Sequence, residues 1–235
     1  MSTQEKIIFY KENGYVVLKN AIPVDLINNY EELWLSHHTK NGVITNYNGW
    51  ENSSPYLEHK EILDILCHEN IFNFLNELNS NLTLHLAFTS WISTRKSWHQ
   101  DFTKSDKNQA DSYIGVWVAL DKINPNSGPF QFIPGSHLWN IDFDFVYSDQ
   151  SSEKPAFLLD EEMKRRQAPG FQFTGDKGDL IIWHGHTVHA GGIPVDSSLL
   201  RKSLIGHYGV MAENATAYGS GRFFNDSKAE TNLYK

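Results

Sequence analysis

The chain has 235 residues and is 40% apolar, with 14 Phe, 10 Tyr and 7 Trp, enough to bury the core of one enzyme-sized globular domain. A formal charge of −8, with Lys164-Arg165-Arg166 as the one short basic run, argues against a nucleic-acid or anionic-membrane partner, because binding phosphates requires a basic surface. A single cysteine, Cys67, excludes an intrachain disulfide, and the opening residues MSTQEKIIFYKENG have neither the basic start nor the apolar stretch of a leader. No apolar run reaches the roughly 18 residues of a membrane span, so the expected setting is the cytoplasm.

The first eighty residues read mostly as helix. Lys6 to Lys11 predicts a helical turn stopped by Gly14, and Tyr15-Val16-Val17-Leu18 is β-branched and aromatic enough for a strand. Pro23 then opens a helix whose apolar face is predicted from Leu26, Ile27, Tyr30, Leu33 and Leu35, and a second helical pair runs from about Glu58 to Leu78. Cys67 falls in that pair as a small buried hydrophobe. Between the helices, Gly42 to Tyr56 is rich in Asn, Gly and aromatics, and reads equally as surface structure or as a lid. From Leu82 the texture changes to short strands: Leu82–Ser93, Tyr113–Leu120, Phe130–Ile133, Phe171–Phe173, Leu180–Trp183 and Lys202–Val210, separated by Pro, Gly, Asn and Ser clusters. That pattern predicts a sandwich or jelly roll with a cavity open at one end. Residues 141–170 interrupt it as an insertion without linker composition, so the chain reads as one domain over 1–235: helical cladding over 1–80, a β core over 81–210 and a tail over 211–235.

His99-Gln100-Asp101 is the most specific chemical signal. Side chains alternate across an extended segment, so His99 and Asp101 share one side while Gln100 takes the other. Two imidazoles and one carboxylate on one face of a divalent metal make the facial triad of non-haem Fe(II) oxygenases, with three positions left open. The second imidazole has three candidates, His184, His186 and His189, which fall together after the strand-like Leu180–Trp183. His137, after Pro134-Gly135, is expected to satisfy a turn. Thr89, Trp91 and Ser93 precede the triplet and either line a pocket or pack as ordinary strand residues.

WHQD at 98–101, VWVALD at 116–121, NSGPFQFIPGSH at 126–137, GDLIIWHGHTVHAGG at 178–192 and the pair Arg201-Lys202 together resemble the phytanoyl-CoA dioxygenase family of Fe(II)/2-oxoglutarate oxygenases. The resemblance implies a mainly β fold with flanking α-helices, a double-stranded β-helix or cupin-type jelly roll, with Fe(II) held by His99, Asp101 and His189. It also implies Arg201 as the anchor for the distal carboxylate of 2-oxoglutarate. The residues agree with each role. Ala190-Gly191-Gly192 after His189 lets backbone and cosubstrate approach closely, which leaves His184 and His186 as a structural polar pair or as donors that orient ligands. A buried carboxylate needs a partner, and a guanidinium is a bidentate, permanently charged one. Lys202, by alternation, faces the opposite way. Trp117 corresponds to the tryptophan that follows the His-x-Asp motif in the family's pattern, and either packs on 2-oxoglutarate or is a plain core aromatic. The family's Ser/Thr near the distal His is missing, because position 191 is Gly.

The implied activity is hydroxylation of an aliphatic C–H coupled to decarboxylation of 2-oxoglutarate by O₂ to succinate and CO₂. The carboxylate of Asp101 favours hydroxylation over halogenation, since halogenating relatives carry a small residue there. No extended basic patch suits a coenzyme A pyrophosphate, so the expected substrate is a small polar metabolite. Arg95, Lys96 or the 164–166 run could meet a substrate carboxylate, the bland reading of that run being a solvated helix face. Two other classes compete: a cupin-type metalloenzyme that does not use 2-oxoglutarate, and a non-catalytic small-molecule binding protein. Arg201 speaks against the first and the triad against the second.

Overall fold

In the computed structural model, residues 1–51, 55–101, 112–139, 154–210 and 222–223 are described. Helix α1 (Thr3–Asn13) starts earlier than the apolar pattern suggests, because Ser2 and Glu5 form a reciprocal capping box that satisfies the first orphan N–H groups. It stops at Gly14, whose φ of 76° is the left-handed conformation that glycine adopts without penalty. Strand β1 (Tyr15–Leu18) follows directly, then α2 (Val24–His38). The buried stripe of α2 is Ile27, Tyr30, Trp34 and His38, and Leu35 is exposed. The predicted face is right at Ile27 and Tyr30 and, partly buried, at Leu26 and Leu33, and misses at Leu35, since the 27, 30, 34, 38 spacing follows the helical repeat more closely.

The short hairpin β2 (Thr39–Lys40) and β3 (Val43–Ile44) opens the Asn- and Gly-rich segment. This segment is packed rather than free-standing. Trp50 meets Trp34 edge-on and donates from Nε1 to Tyr30 Oη and Thr89 Oγ1, at 3.3 and 3.2 Å, and Tyr56 is fully buried. Helices α3 (Lys60–Leu66) and α4 (Glu69–Leu78) make the second helical pair, broken at Cys67-His68, where His68 caps α4 through the Asn70 N–H. Cys67 is half-buried against the core.

The β core is two facing sheets. Strands β4 (Thr83–Ser90), β5 (Ile114–Ala119), β8 (Leu180–His184), β10 (Ser203–Gly209) and β11 (Arg222–Phe223) join β1 in the order β1-β8-β5-β10-β4-β11, all antiparallel. The smaller sheet has the order β7-β6-β9, from β6 (Phe130–Phe132), β7 (Phe171–Gln172) and β9 (His189–Gly191). Alternation sorts the large sheet cleanly. Val116, Val118, Leu180, Ile182, Leu204 and Tyr208 face the helices and pack with Ile27, Tyr30 and Trp34. Trp117, Ala119, Ile181 and Trp183 face inward and pack with Phe130, Phe132 and Phe173. This is the expected jelly roll with helices on one side.

The insertion between β6 and β7 contributes helix α5 (Lys154–Arg166), with 140–153 outside the described residues. Leu159 and Met163 of α5 pack with Ile133, Trp139, Val188 and Trp98, so the insertion closes over the segment leading into His99. Of the tail, Arg222–Phe223 adds an edge strand beside β4. No described helix is long and apolar enough to cross a membrane.

Candidate metal and cosubstrate site

Antiparallel pairing brings together candidate ligands that are ninety positions apart in sequence. The segment before Asp101 docks on the free edge of β9: His99 N–H donates to His189 O and His189 N–H to His99 O, each at 2.9 Å, and Gly191 N–H donates to Lys96 O at 2.9 Å. The reciprocal bonds make His99 and His189 a directly opposed pair, whose rings lie 4.1 Å apart. Asp101 N–H is held by Gly185 O at 2.9 Å, and Gln100 points away from the ligands to donate to His186 O at 2.5 Å. Strand β9 itself was not read from the sequence, since His-Ala-Gly between turn residues is too short to show a period.

His99 Nε2 lies 3.7 Å and His189 Nε2 3.5 Å from Asp101 Oδ1, and one ligand atom from each residue falls within 4.8 Å of the others. Both Nδ1 atoms face backbone carbonyls, Ser97 O at 2.7 Å and Thr187 O at 2.8 Å. A carbonyl only accepts, so each Nδ1 carries the proton and each Nε2 presents its lone pair to the same point, the tautomer a metal-binding imidazole requires. Burial, reinforced by His189, pushes His99 down to about 3. Burial alone would raise the Asp101 carboxyl, but the imidazoles of His189, His207 and His99 outweigh it and hold the group ionised, well below the usual carboxylate range. Two neutral imidazoles and one anion suit a divalent cation, and among the described residues this is the one such group of three.

Arg201 lies just before β10 and is 2% exposed. Its Nη2 donates to Ser90 Oγ at 3.1 Å and Ile92 O at 3.4 Å, its Nη1 to Gly128 O at 3.4 Å, and its Nε is buried without a partner. Among the described residues no carboxylate pairs with it, and burial pushes it down to about 10. The guanidinium lies 5.5 Å over the ring of Trp117, which is fully buried and whose own Nε1 lacks a partner. Lys202 turns the other way, onto Glu31 at 2.7 Å and the Trp91 ring, as alternation required.

Other expectations divide. Thr89 and Trp91 lie on the helix side, with Trp91 against Trp34 and Thr89 bonded to Tyr30, so neither faces the inner side of the large sheet. The inward residue is Ser90, one position off, because β4 ends on the opposite parity. Ser93 donates to Gly192 O. His137 reaches beyond its own turn to donate from Nε2 to Lys11 O. His184 accepts from His186 N–H through Nδ1, a structural pair outside the triad. The 164–166 run is a solvated face, with Lys164 on Glu161 and with Arg165 and Arg166 on Glu162. Two residues at the site were not singled out from the sequence. Trp183 Nε1 donates to Asp101 Oδ2 at 3.0 Å, and His207 Nδ1 sits 3.9 Å from the same oxygen. Counting by two from Arg201 through Ser203 and Ile205 reaches His207, so its inward orientation was available.

The family model for phytanoyl-CoA dioxygenase (PhyH) matches residues 10–193. A phytanoyl-CoA dioxygenase domain-containing protein 1 homolog of Caenorhabditis briggsae is 33% identical over 94 residues, covering 39% of this chain and 33% of that protein. The human peroxisomal phytanoyl-CoA dioxygenase is 22% identical over 218 residues, covering 81% and 63%. The chain thus spans about a third of the nematode relative and less than two thirds of the human one. Among solved structures, EctD from S. alaskensis with bound Fe has a TM-score of 0.69 at 15% identity, covering 89% of this chain and 77% of that one. The epimerase SnoN, in complex with Fe³⁺, α-ketoglutarate and nogalamycin RO, has a TM-score of 0.68 at 19% identity, covering 97% and 89%.

Proposed function

Because the chain belongs to the phytanoyl-CoA dioxygenase family of non-haem Fe(II)/2-oxoglutarate oxygenases, we propose that it hydroxylates an aliphatic C–H of a small polar metabolite while converting 2-oxoglutarate and O₂ to succinate and CO₂. One observation carries the reading: Arg201, buried and without a carboxylate partner among the described residues, lies over Trp117, in the same inward-facing cluster as Trp183 and Phe130, which contact Asp101 and His189 of the convergent triad. A metal site alone would not require a buried cation, and desolvating one without a partner is costly. A dicarboxylate that reaches from the metal to Arg201 supplies that partner.

His99 Nε2, His189 Nε2 and Asp101 Oδ1 would hold the iron, and their one net negative charge fits a divalent ion. Bound there, iron and 2-oxoglutarate supply the oxidising chemistry. The protein's own residues position and exclude. Arg201 offers its fork to the distal carboxylate, Ser90 Oγ fixes that fork, and Trp117 gives it a flat wall. Phe130, Phe132 and Trp183 keep the inner surface dry, which strengthens each charge interaction inside it. Asp101 is a ligand in its own right, so no position is vacated for halide, which favours hydroxylation. A small polar substrate is supported by the engagement of Arg165 and Arg166 with Glu162, which leaves no basic patch there for a coenzyme A pyrophosphate.

The reading is tested by a succinate-release screen across a metabolite panel, together with anaerobic addition of Fe(II) and 2-oxoglutarate. A visible charge-transfer band and substrate-dependent succinate are expected. Folded protein that gives neither would refute it. A hydroxylated product from an amino acid or comparable polar metabolite would establish the substrate class, whereas turnover confined to acyl-CoA thioesters would overturn it.

A further inference from the structure

Asp101 presents two oxygens, and the fold treats them differently. Oδ1 is the atom nearest both imidazole Nε2 atoms, whereas Oδ2 accepts the Trp183 indole N–H at 3.0 Å and faces His207 Nδ1 at 3.9 Å. The indole is aimed by the sheet. Trp183 on β8 and His207 on β10 are both register partners of Gly115 on the strand between them, so the two side chains flank a position that has none. Trp183 occupies that space: a Cβ on Gly115 would fall inside the indole, against Cζ2 and Cε2. Its ring then meets His207 edge-on at 88°, with centroids 5.7 Å apart. His207 Nδ1, the other polar atom facing Oδ2, is itself buried without a hydrogen-bond partner.

From this we infer that Trp183, seated in the gap left by Gly115, is a positioning residue that ties up Asp101 Oδ2 and commits the carboxylate to binding metal through Oδ1 alone. The inference rests on the iron site proposed above. Its consequence is a count of positions. A facial triad leaves three sites only if the carboxylate takes one, and a chelating cosubstrate plus O₂ need all three. A carboxylate released to bind through both oxygens would occupy one of them. Partners behind metal ligands typically change metal affinity by about 10–100-fold when removed.

The experiment uses the full-length protein with Co(II) alone as probe, read by its ligand-field spectrum and by titrated affinity. Trp183→Phe removes the N–H and keeps a ring. Incorporation of β-(3-benzothienyl)alanine at 183 keeps the indole's shape and replaces only the N–H by sulfur, which guards against simple misfolding. Gly115→Ala displaces the indole without altering it. All three are expected to weaken Co(II) by about tenfold or more and to change its visible spectrum, and Lys164→Gln, on the solvated face of α5, is expected to leave both as in the unsubstituted protein. Unchanged affinity and spectrum in the benzothienyl protein would overturn the role of Trp183. If the unsubstituted protein binds no Co(II), or binds it equally after His99→Ala, the iron site itself fails, an outcome distinct from the first.

Discussion

Arg201 is a cation with no anion beside it among the described residues, held by a hydroxyl and two carbonyls and with Nε left over. Such an arrangement costs the folded protein on its own and gains when a carboxylate arrives, so its two effects should carry opposite signs. Arg201→Gln is expected to weaken 2-oxoglutarate by about 3–5 kcal/mol, a factor of a hundred or more, because one partner of a buried ion pair is lost. In ligand-free protein the same change should leave the unfolding free energy unchanged or higher. Titration of the charge-transfer band and urea unfolding measure the two. A variant less stable without ligand, with unaltered 2-oxoglutarate affinity, would make Arg201 a structural residue. At the same scale, His184 is pushed down to about 3 by burial first and by His186 and His137 beside it. The folded state therefore refuses a proton that the unfolded chain accepts near the ordinary value of 6.5. Stability must fall as pH drops from there towards 3. His184→Asn keeps an acceptor for the His186 N–H and removes the titration, so the loss in unfolding free energy between pH 7 and pH 5 should be smaller in the variant. An equal loss in both proteins would assign the acid sensitivity elsewhere.

At the scale of elements, the site exists because one short strand is approached very closely. Gly191 ends β9 against the segment that carries His99: a Cβ there would come within 2.5 Å of Thr94 Oγ1 and about 3.0 and 3.1 Å of the backbone nitrogens of Arg95 and Lys96. The Ser or Thr that relatives carry near the distal His therefore has no room here. Gly191→Ser is expected to push residues 94–96 off the strand, misplace His99 and weaken Co(II) binding, with the ligand-field spectrum as the readout; tight, spectrally unchanged binding would show that the segment gives way at no cost. These elements also show what a sequence can carry. The strands of the large sheet, with apolar residues on both faces, were legible as runs, and the residues of the candidate site, which the fold brings together at His99, Asp101 and His189, were proposed from motif and family resemblance. Parity was not. For Thr89 and Trp91 the choice between pocket lining and ordinary packing was open, because the end of β4 is fixed by pairing with β10, and Leu35 stood in for Trp34 because α2 was registered by leucines rather than by what it packs against. Trp183 was hidden for the same reason, since its orientation depends on the absence of a side chain at Gly115, on a strand three earlier in the sequence.

For the whole molecule, the candidate metal ligands come from the segment that ends at Asp101 and from β9, two stretches that converge only in the folded chain, and Arg201 stands at the start of β10. The unfolded chain offers no comparable site, so metal and cosubstrate bind the folded state alone and stabilise it by mass action. A ligand at a hundred times its dissociation constant contributes about 2.7 kcal/mol, which for a chain of this size raises the melting temperature by about 5–10 °C. The order of addition is informative. With the triad holding one end of 2-oxoglutarate and Arg201 the other, the cosubstrate should add its increment only after the metal, and Arg201→Gln should keep the metal increment while losing the second. Melting curves under nitrogen with Mn(II), then Mn(II) plus 2-oxoglutarate, test this. A full increment from 2-oxoglutarate without metal would place its site away from the triad, and equal increments in the unsubstituted and Arg201→Gln proteins would detach Arg201 from it.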